Sequence, residues 1–89
     1  MKTEIYRLSD QAVMEVFDDG ALIMKLNDLT LTELNSTARD ILLQIDGSNE
    51  IKRVAEFIAT EYGIDIAVAE QDIRELYASL YEQGILESN

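Results

Sequence analysis

Leu29-Thr30-Leu31-Thr32-Glu33-Leu34-Asn35-Ser36-Thr37-Ala38-Arg39-Asp40-Ile41-Leu42-Leu43-Gln44-Ile45 is the stretch in which the hydrophobic period changes. Over residues 29–34 apolar and polar side chains alternate for most of the length, as in a strand with one buried face. From Asn35 onward the apolar positions are Ala38, Ile41, Leu42 and Ile45, a stripe at i, i+3, i+4 and i+7 that predicts a helix. Asn35 or Thr37 is suited to cap it by accepting a bond from a free backbone N–H. Asp46-Gly47 is the expected stop, with glycine just past the last turn.

Upstream, Ala12-Val13-Met14-Glu15-Val16-Phe17 and Ala21-Leu22-Ile23-Met24-Lys25-Leu26 flank Asp18-Asp19-Gly20. Two β-forming runs around an Asp-Gly pair predict a hairpin, with glycine supplying positive φ in its turn. Asn27-Asp28 marks a second turn. Downstream, Ser48 or Asn49 is the expected cap of a second helix with the stripe Ile51, Val54, Ala55, Ile58 and Tyr62, stopped by Gly63. Asp65 is the expected cap of a third, with the stripe Ala69, Ile73, Leu76 and Leu80, Tyr77 on its margin and Gly84 as the stop. Ile85 and Leu86 return to the core, and residues 87–89 read as a free tail. The predicted order is β-β-β-α-α-α. That is an α+β fold: a three-stranded antiparallel sheet followed by a three-helix bundle, winged-helix-like in shape. It fills one domain over residues 1–89, with strands within about 12–34 and helices within about 36–83.

The 89 residues include eighteen acids and seven bases, a net charge of −11. Such a surface repels nucleic-acid phosphates and anionic membranes, so neither is an expected partner. The third helix, with Glu70, Asp72, Glu75 and Glu82 against Arg74, is unsuited to reading DNA. The chain has no cysteine and no histidine, which removes the usual nucleophile–base pairs and the commonest metal ligands. No glycine-rich phosphate cradle is present. No catalytic, cofactor or metal site is therefore expected. Asp18-Asp19 reads as a solvated turn rather than an acid–base pair, and Asp46-Gly47-Ser48-Asn49 lacks the spacing of a calcium loop. Asn35-Ser36-Thr37 matches a glycosylation sequon, but no signal segment precedes it and a helix cap is the expected role. The expected location is cytoplasmic. An acidic carrier domain is an alternative. That fold is helical throughout and needs an Asp-Ser-Leu for its prosthetic group, a context none of the serines here has.

One ordered set of pieces is distinctive: Glu33-Leu34-Asn35-Ser36-Thr37-Ala38, Ile45-Asp46-Gly47, Ile51-Lys52-Arg53-Val54-Ala55, Glu61-Tyr62-Gly63, Asp65, Val68-Ala69-Glu70-Gln71-Asp72-Ile73, and Leu80-Tyr81-Glu82-Gln83-Gly84-Ile85-Leu86. Together, over about residues 10–86, they resemble the PqqD family, named for a protein of pyrroloquinoline quinone biosynthesis. The same fold serves as the recognition element for precursors of ribosomally made, modified peptides. Asn27-Asp28-Leu29 departs from the pattern, since many relatives have a glycine turn there. Ser48-Asn49-Glu50 departs from the usual Thr-Val-Glu-Glu.

The resemblance implies a non-catalytic peptide-binding adaptor. Such a domain captures the leader of a precursor peptide and presents the rest to a modifying enzyme, often a radical S-adenosylmethionine enzyme. The leader would add a strand to the edge of the third strand, at Leu29, Thr30, Leu31, Thr32, Glu33 and Leu34, and pack on the third helix. That mode is physically sound: an open edge supplies unpaired N–H and C=O groups, and pockets for alternate side chains add specificity. On the helix, Tyr77 and Tyr81 read as inward packing. The groove is assigned to the other flank, with Val68, Asp72, Glu75, Leu76 and Ser79, where Asp72 would meet a basic leader residue. A proline at Thr32 is expected to weaken binding. The molecule is expected to be a monomer or weak dimer. The alternative is an acidic interaction or carrier-type domain with no leader partner.

Overall fold

The computed structural model describes residues 5–45 and 48–88. Four strands come first: β1 (Tyr6–Leu8), β2 (Ala12–Phe17), β3 (Gly20–Lys25) and β4 (Leu31–Asn35). Three helices follow, α1 (Ser36–Leu43), α2 (Ile51–Tyr62) and α3 (Ile66–Glu82), and then β5 (Leu86–Ser88). The expected antiparallel sheet is present in the order β2-β3-β4. A second sheet was not anticipated. In it β1 pairs with β5, Tyr6 opposite Ser88 and Leu8 opposite Leu86. Glu87 and Ser88 are thus strand residues and not a tail, and the strands extend beyond the predicted 12–34 window on both sides.

The hairpin forms by a different route from the one expected. Phe17 pairs with Gly20, leaving Asp18-Asp19 as a two-residue loop. Gly20 does not have positive φ. It is glycine because a Cβ there would lie 2.1 Å from the backbone oxygen of Leu34 on β4. The loop is held from outside: Arg39 on α1 donates through Nη1 to the carbonyls of Phe17 (2.6 Å) and Asp18 (2.7 Å).

The next turn does carry left-handed backbone, at Leu29 with φ of 59°. Its N–H donates to the Lys25 carbonyl at 2.7 Å, and Asp28 Oδ1 accepts from both Thr30 N–H (3.1 Å) and Thr30 Oγ1 (2.7 Å). The third predicted strand therefore begins at Leu31. Leu29 and Thr30 belong to the turn.

Asn35 ends β4 and caps α1 at once, accepting from Ala38 N–H at 2.8 Å. The predicted stop at Asp46-Gly47 lies outside the described residues; α1 ends at Leu43, with Gln44 as its C-cap. Neither Ser48 nor Asn49 caps α2. Glu50 is in the capping position without a side-chain bond, and Asn49 instead donates to the Gln44 carbonyl (2.9 Å). Gly63, with φ of 63°, ends α2 as expected. Asp65 caps α3 by accepting from Ala67 N–H at 2.8 Å.

The core lies between the inner face of β3 and the three helices. Ile23, Ile41, Leu42, Ile51, Val54, Ala55, Ile58, Ala69, Ile73, Leu80, Ile85 and Leu86 are all buried. Each large aliphatic side chain withdrawn there contributes about 1.5–3 kcal/mol. Tyr77, expected on the margin of the stripe and packing inward, goes deeper than Leu76, expected in the stripe itself. Tyr77 is 2 % exposed and belongs to the core, while Leu76 is only partly buried beside it. The ring of Tyr6 from β1 meets Tyr77 edge-on at 5.0 Å. Burial pushes the Tyr77 phenol well above its ordinary pKa, and its hydroxyl has no hydrogen-bond partner among the described residues. Tyr81, read as inward packing, is exposed.

Candidate functional site

The three-stranded sheet has two edges, β2 and β4; β4 is the one that runs directly into α1, and the ladder fixes which of its backbone groups face outward. Leu26 N–H donates to the Gln11 carbonyl (2.7 Å), and Lys25 N–H donates to the Thr30 carbonyl (3.0 Å). In an antiparallel ladder hydrogen-bonded pairs recur at every second residue. Even-numbered residues of β3 therefore bond to β2 and odd-numbered ones to β4. With Ile23 opposite Thr32 and Ala21 opposite Leu34, the backbone of Thr32 and Leu34 is turned inward to β3. Leu31 and Glu33 aim their N–H and C=O groups at the open edge, where no described strand pairs with them.

Side chains alternate in the same way. Leu31 (61 % exposed) and Glu33 lie on the outer face of the sheet, whereas Thr32 and Leu34 are turned toward the helices and half-buried. Because the strand runs into α1 without a loop, the first turns of that helix continue the same wall. Across from it runs α3, which packs on α2 and β5 rather than closing on β4. The space between is a groove of about 500 Å³, lined by Asn35, Thr37, Ala38 and Ile41 on one side and Asp72, Glu75 and Leu76 on the other. At one end Thr32 Oγ1 donates to Gln83 Oε1 (3.2 Å), and Gln83 Nε2 donates to Ser79 Oγ (3.1 Å). That chain of bonds crosses from strand to helix. Gln71 Nε2 donates to Glu75 Oε2 (2.9 Å) at the opposite rim. Among the described residues no lysine or arginine lines the groove.

The predicted site residues fall into three groups. Leu31, Thr32, Glu33 and Leu34 form the edge strand, and Asp72, Glu75 and Leu76 line the groove beside it, with Ser79 joined through Gln83. Leu29 and Thr30 sit in the preceding turn, because the left-handed backbone at Leu29 breaks the alternation. Val68, 52 % exposed, stands one turn of α3 beyond the lining. Sequence reasoning missed Asn35, Thr37, Ala38 and Ile41, which it had assigned to a cap and a core stripe. It also missed Gln83. The direct junction of strand and helix at Asn35 was the available signal, since it places the first turn of α1 in line with the strand edge.

The remaining chemistry is sparse. Among the described residues no cluster of acidic side chains is arranged to hold a metal, and no helix is long and apolar enough to cross a membrane. A smaller hollow between α1 and α2, lined by Asp40, Leu43, Gln44, Phe57 and Glu61, has no open backbone edge beside it.

A family model described as Coenzyme PQQ synthesis protein D (PqqD) matches residues 20–86. A sequence search of curated proteins finds no match. Three solved structures share the fold. TbiB1 in complex with the TbiA(beta) leader peptide is 23 % identical, with a TM-score of 0.85 over 93 % of this chain and 96 % of that one. A lasso peptide synthetase B1 complexed with the leader peptide is 28 % identical, with a TM-score of 0.83 over 92 % and 96 %. The PqqD truncation of Methylobacterium extorquens PqqCD, a stand-alone recognition element for ribosomally synthesised and post-translationally modified peptides, is 22 % identical. Its TM-score is 0.79 over 93 % of this chain and 88 % of that one.

Proposed function

Because the chain belongs to the PqqD family, we propose that it is a non-catalytic adaptor. It holds the leader of a ribosomal precursor peptide as an added strand on β4 and presents the remainder to a modifying enzyme. The observation that carries this reading is the pair of unpaired edge residues, Leu31 and Glu33, lying beside an open groove against α3. An extended peptide there satisfies four orphan backbone groups at once. The alternate peptide side chains enter the groove and supply selectivity. Two of the similar structures hold leader peptides, and the third is described as a recognition element, which supports the same role here. The all-helical scaffold of a carrier domain is incompatible with the β2-β3-β4 sheet, so that alternative is set aside.

The test is a titration of the N-terminal segment of a short precursor encoded beside this gene into the isotopically labelled protein. Saturable shifts should appear at the amides of Leu31 and Glu33 and along α3 from Asp72 to Gln83. Glu33→Pro deletes one outward donor and leaves the bonds to β3 in place. It should weaken binding by about five- to tenfold, the contribution of a hydrogen bond, in a protein whose circular dichroism is unchanged. Undiminished affinity in folded Glu33→Pro protein would remove strand addition at β4 from consideration.

A further inference from the structure

We propose that the groove selects a strand bearing a lysine or arginine at one inward position and a small polar side chain two residues away. This rests on the strand-addition reading of the same groove and specifies which peptides it takes.

The two walls run antiparallel and stay in step. Thr32 meets Gln83 at one end, and Asn35 faces the section lined by Leu76 and Asp72. Three strand residues advance about 10 Å, and the seven helix residues from Gln83 back to Leu76 advance about 10.5 Å. A peptide on the β4 edge therefore lies along a straight channel. Its inward side chains are those beside Thr32 and Leu34, about 6.6 Å apart.

The two positions differ in chemistry. Beside Thr32 the Thr32–Gln83–Ser79 bonds cross the channel, leaving room for a short side chain that joins their network. The position beside Leu34 leads into the section that Asn35 lines, where the floor is aliphatic, made by Ala38, Ile41 and Leu76, and the rim carries the carboxylates of Asp72 and Glu75. An apolar stem ending in a cation matches both parts, as lysine and arginine do. A purely apolar side chain would desolvate the carboxylates without pairing them. An acidic one would meet two like charges. Among the described residues no lysine or arginine lines the groove, and Lys25, Arg39 and Arg74 are engaged by Asp28, Asp40 and Glu70. The contact that Glu75 has on its own helix is the neutral amide of Gln71.

The test uses a displayed pool of random twelve-residue peptides panned against the whole chain, so no natural ligand need be known. Selected peptides should shift the Leu31 and Glu33 amides and share a lysine or arginine with serine or threonine two positions away. For one such peptide, the Asp72→Asn, Glu75→Gln double variant should lose about ten- to hundredfold in affinity, the range for charge-assisted bonds. Panning against Glu75→Lys should move the preference at that position to aspartate or glutamate. Peptides that shift the β4 amides with no cation enriched would overturn this inference and leave strand addition standing. A pool yielding no peptide that shifts those amides would overturn both.

Discussion

Glycine and leucine have changed places in this chain relative to the usual logic. Gly20 sits in ordinary extended backbone and is required by crowding, since any Cβ would press on the immobile Leu34 carbonyl. Leu29 occupies the left-handed region that glycine prefers. Opposite predictions follow. Gly20→Ala should destabilise the protein by about 1–3 kcal/mol, the usual cost of overpacking. Leu29→Gly should stabilise it by up to about 1 kcal/mol through relief of left-handed strain, with little burial lost at a side chain 68 % exposed. Urea unfolding midpoints of the two variants decide both; a neutral Gly20→Ala would mean that β4 can move away from β3 freely. The sequence marked Gly20 as a turn and read Leu29 as the start of the third strand. It did not separate a glycine needed for φ from one needed for space, because the second depends on a strand fourteen residues later.

Element by element, periodicity carried most of the information. The change from period two to 3.6 located the β4–α1 junction, and the Asp65 cap and the Gly63 stop were legible from local chemistry alone. The edge of β4 was legible as an edge, but its sidedness was not. Which amides face outward follows from register, and register from the bond between Lys25 and Thr30. Thr32→Pro, which sequence reasoning would choose to weaken binding, removes an inward donor and should instead unpair β4 from β3. Glu33→Pro is the outward counterpart. Amide exchange should separate them: Ile23 and Ala21 should lose protection in Thr32→Pro and retain it in Glu33→Pro. On α3, Leu76 and Tyr77 are about 100° apart and both border the stripe. Tyr77 turns inward because Tyr6 covers it, and Tyr6 stands on a three-residue strand whose partner lies some eighty residues away. No local signal announces such a pairing.

At the scale of the whole molecule, one residue pair ties three elements together. Arg39 on α1 holds the hairpin loop and contacts Asp40, and the Asp40 carboxylate also accepts from the Tyr62 hydroxyl at the end of α2. The Tyr62 bond and Arg39 hold Asp40 below its ordinary pKa. A carboxylate favoured in its charged form stabilises the fold above its unfolded value, about 3.9, and that contribution is lost as pH falls through the lower folded value. Repulsion among the net negative charges acts in the other direction and eases as pH drops toward 5. Stability should therefore rise on mild acidification and fall below about pH 4. Asp40→Asn should lower the urea midpoint at neutral pH and flatten the acid branch, so that mutant and parent converge once Asp40 is protonated in acid. Parallel curves through the acid branch would show that the Asp40 contacts do not couple to stability.

The pairing of β1 with β5 has a consequence in time. Those strands are the first and last in the described chain, so their ladder closes a loop made of nearly everything else. Closing so long a loop in an unfolded chain carries a large entropic cost that only three paired residues repay, whereas the β2–β3 hairpin closes over two. The hairpin and helices must therefore assemble first, and the ladder zips shut on a surface they have already made. Its closure is expected to be the last step of folding and its opening the first step of unfolding, so the amides of this ladder should exchange faster than those of the β2–β3 hairpin.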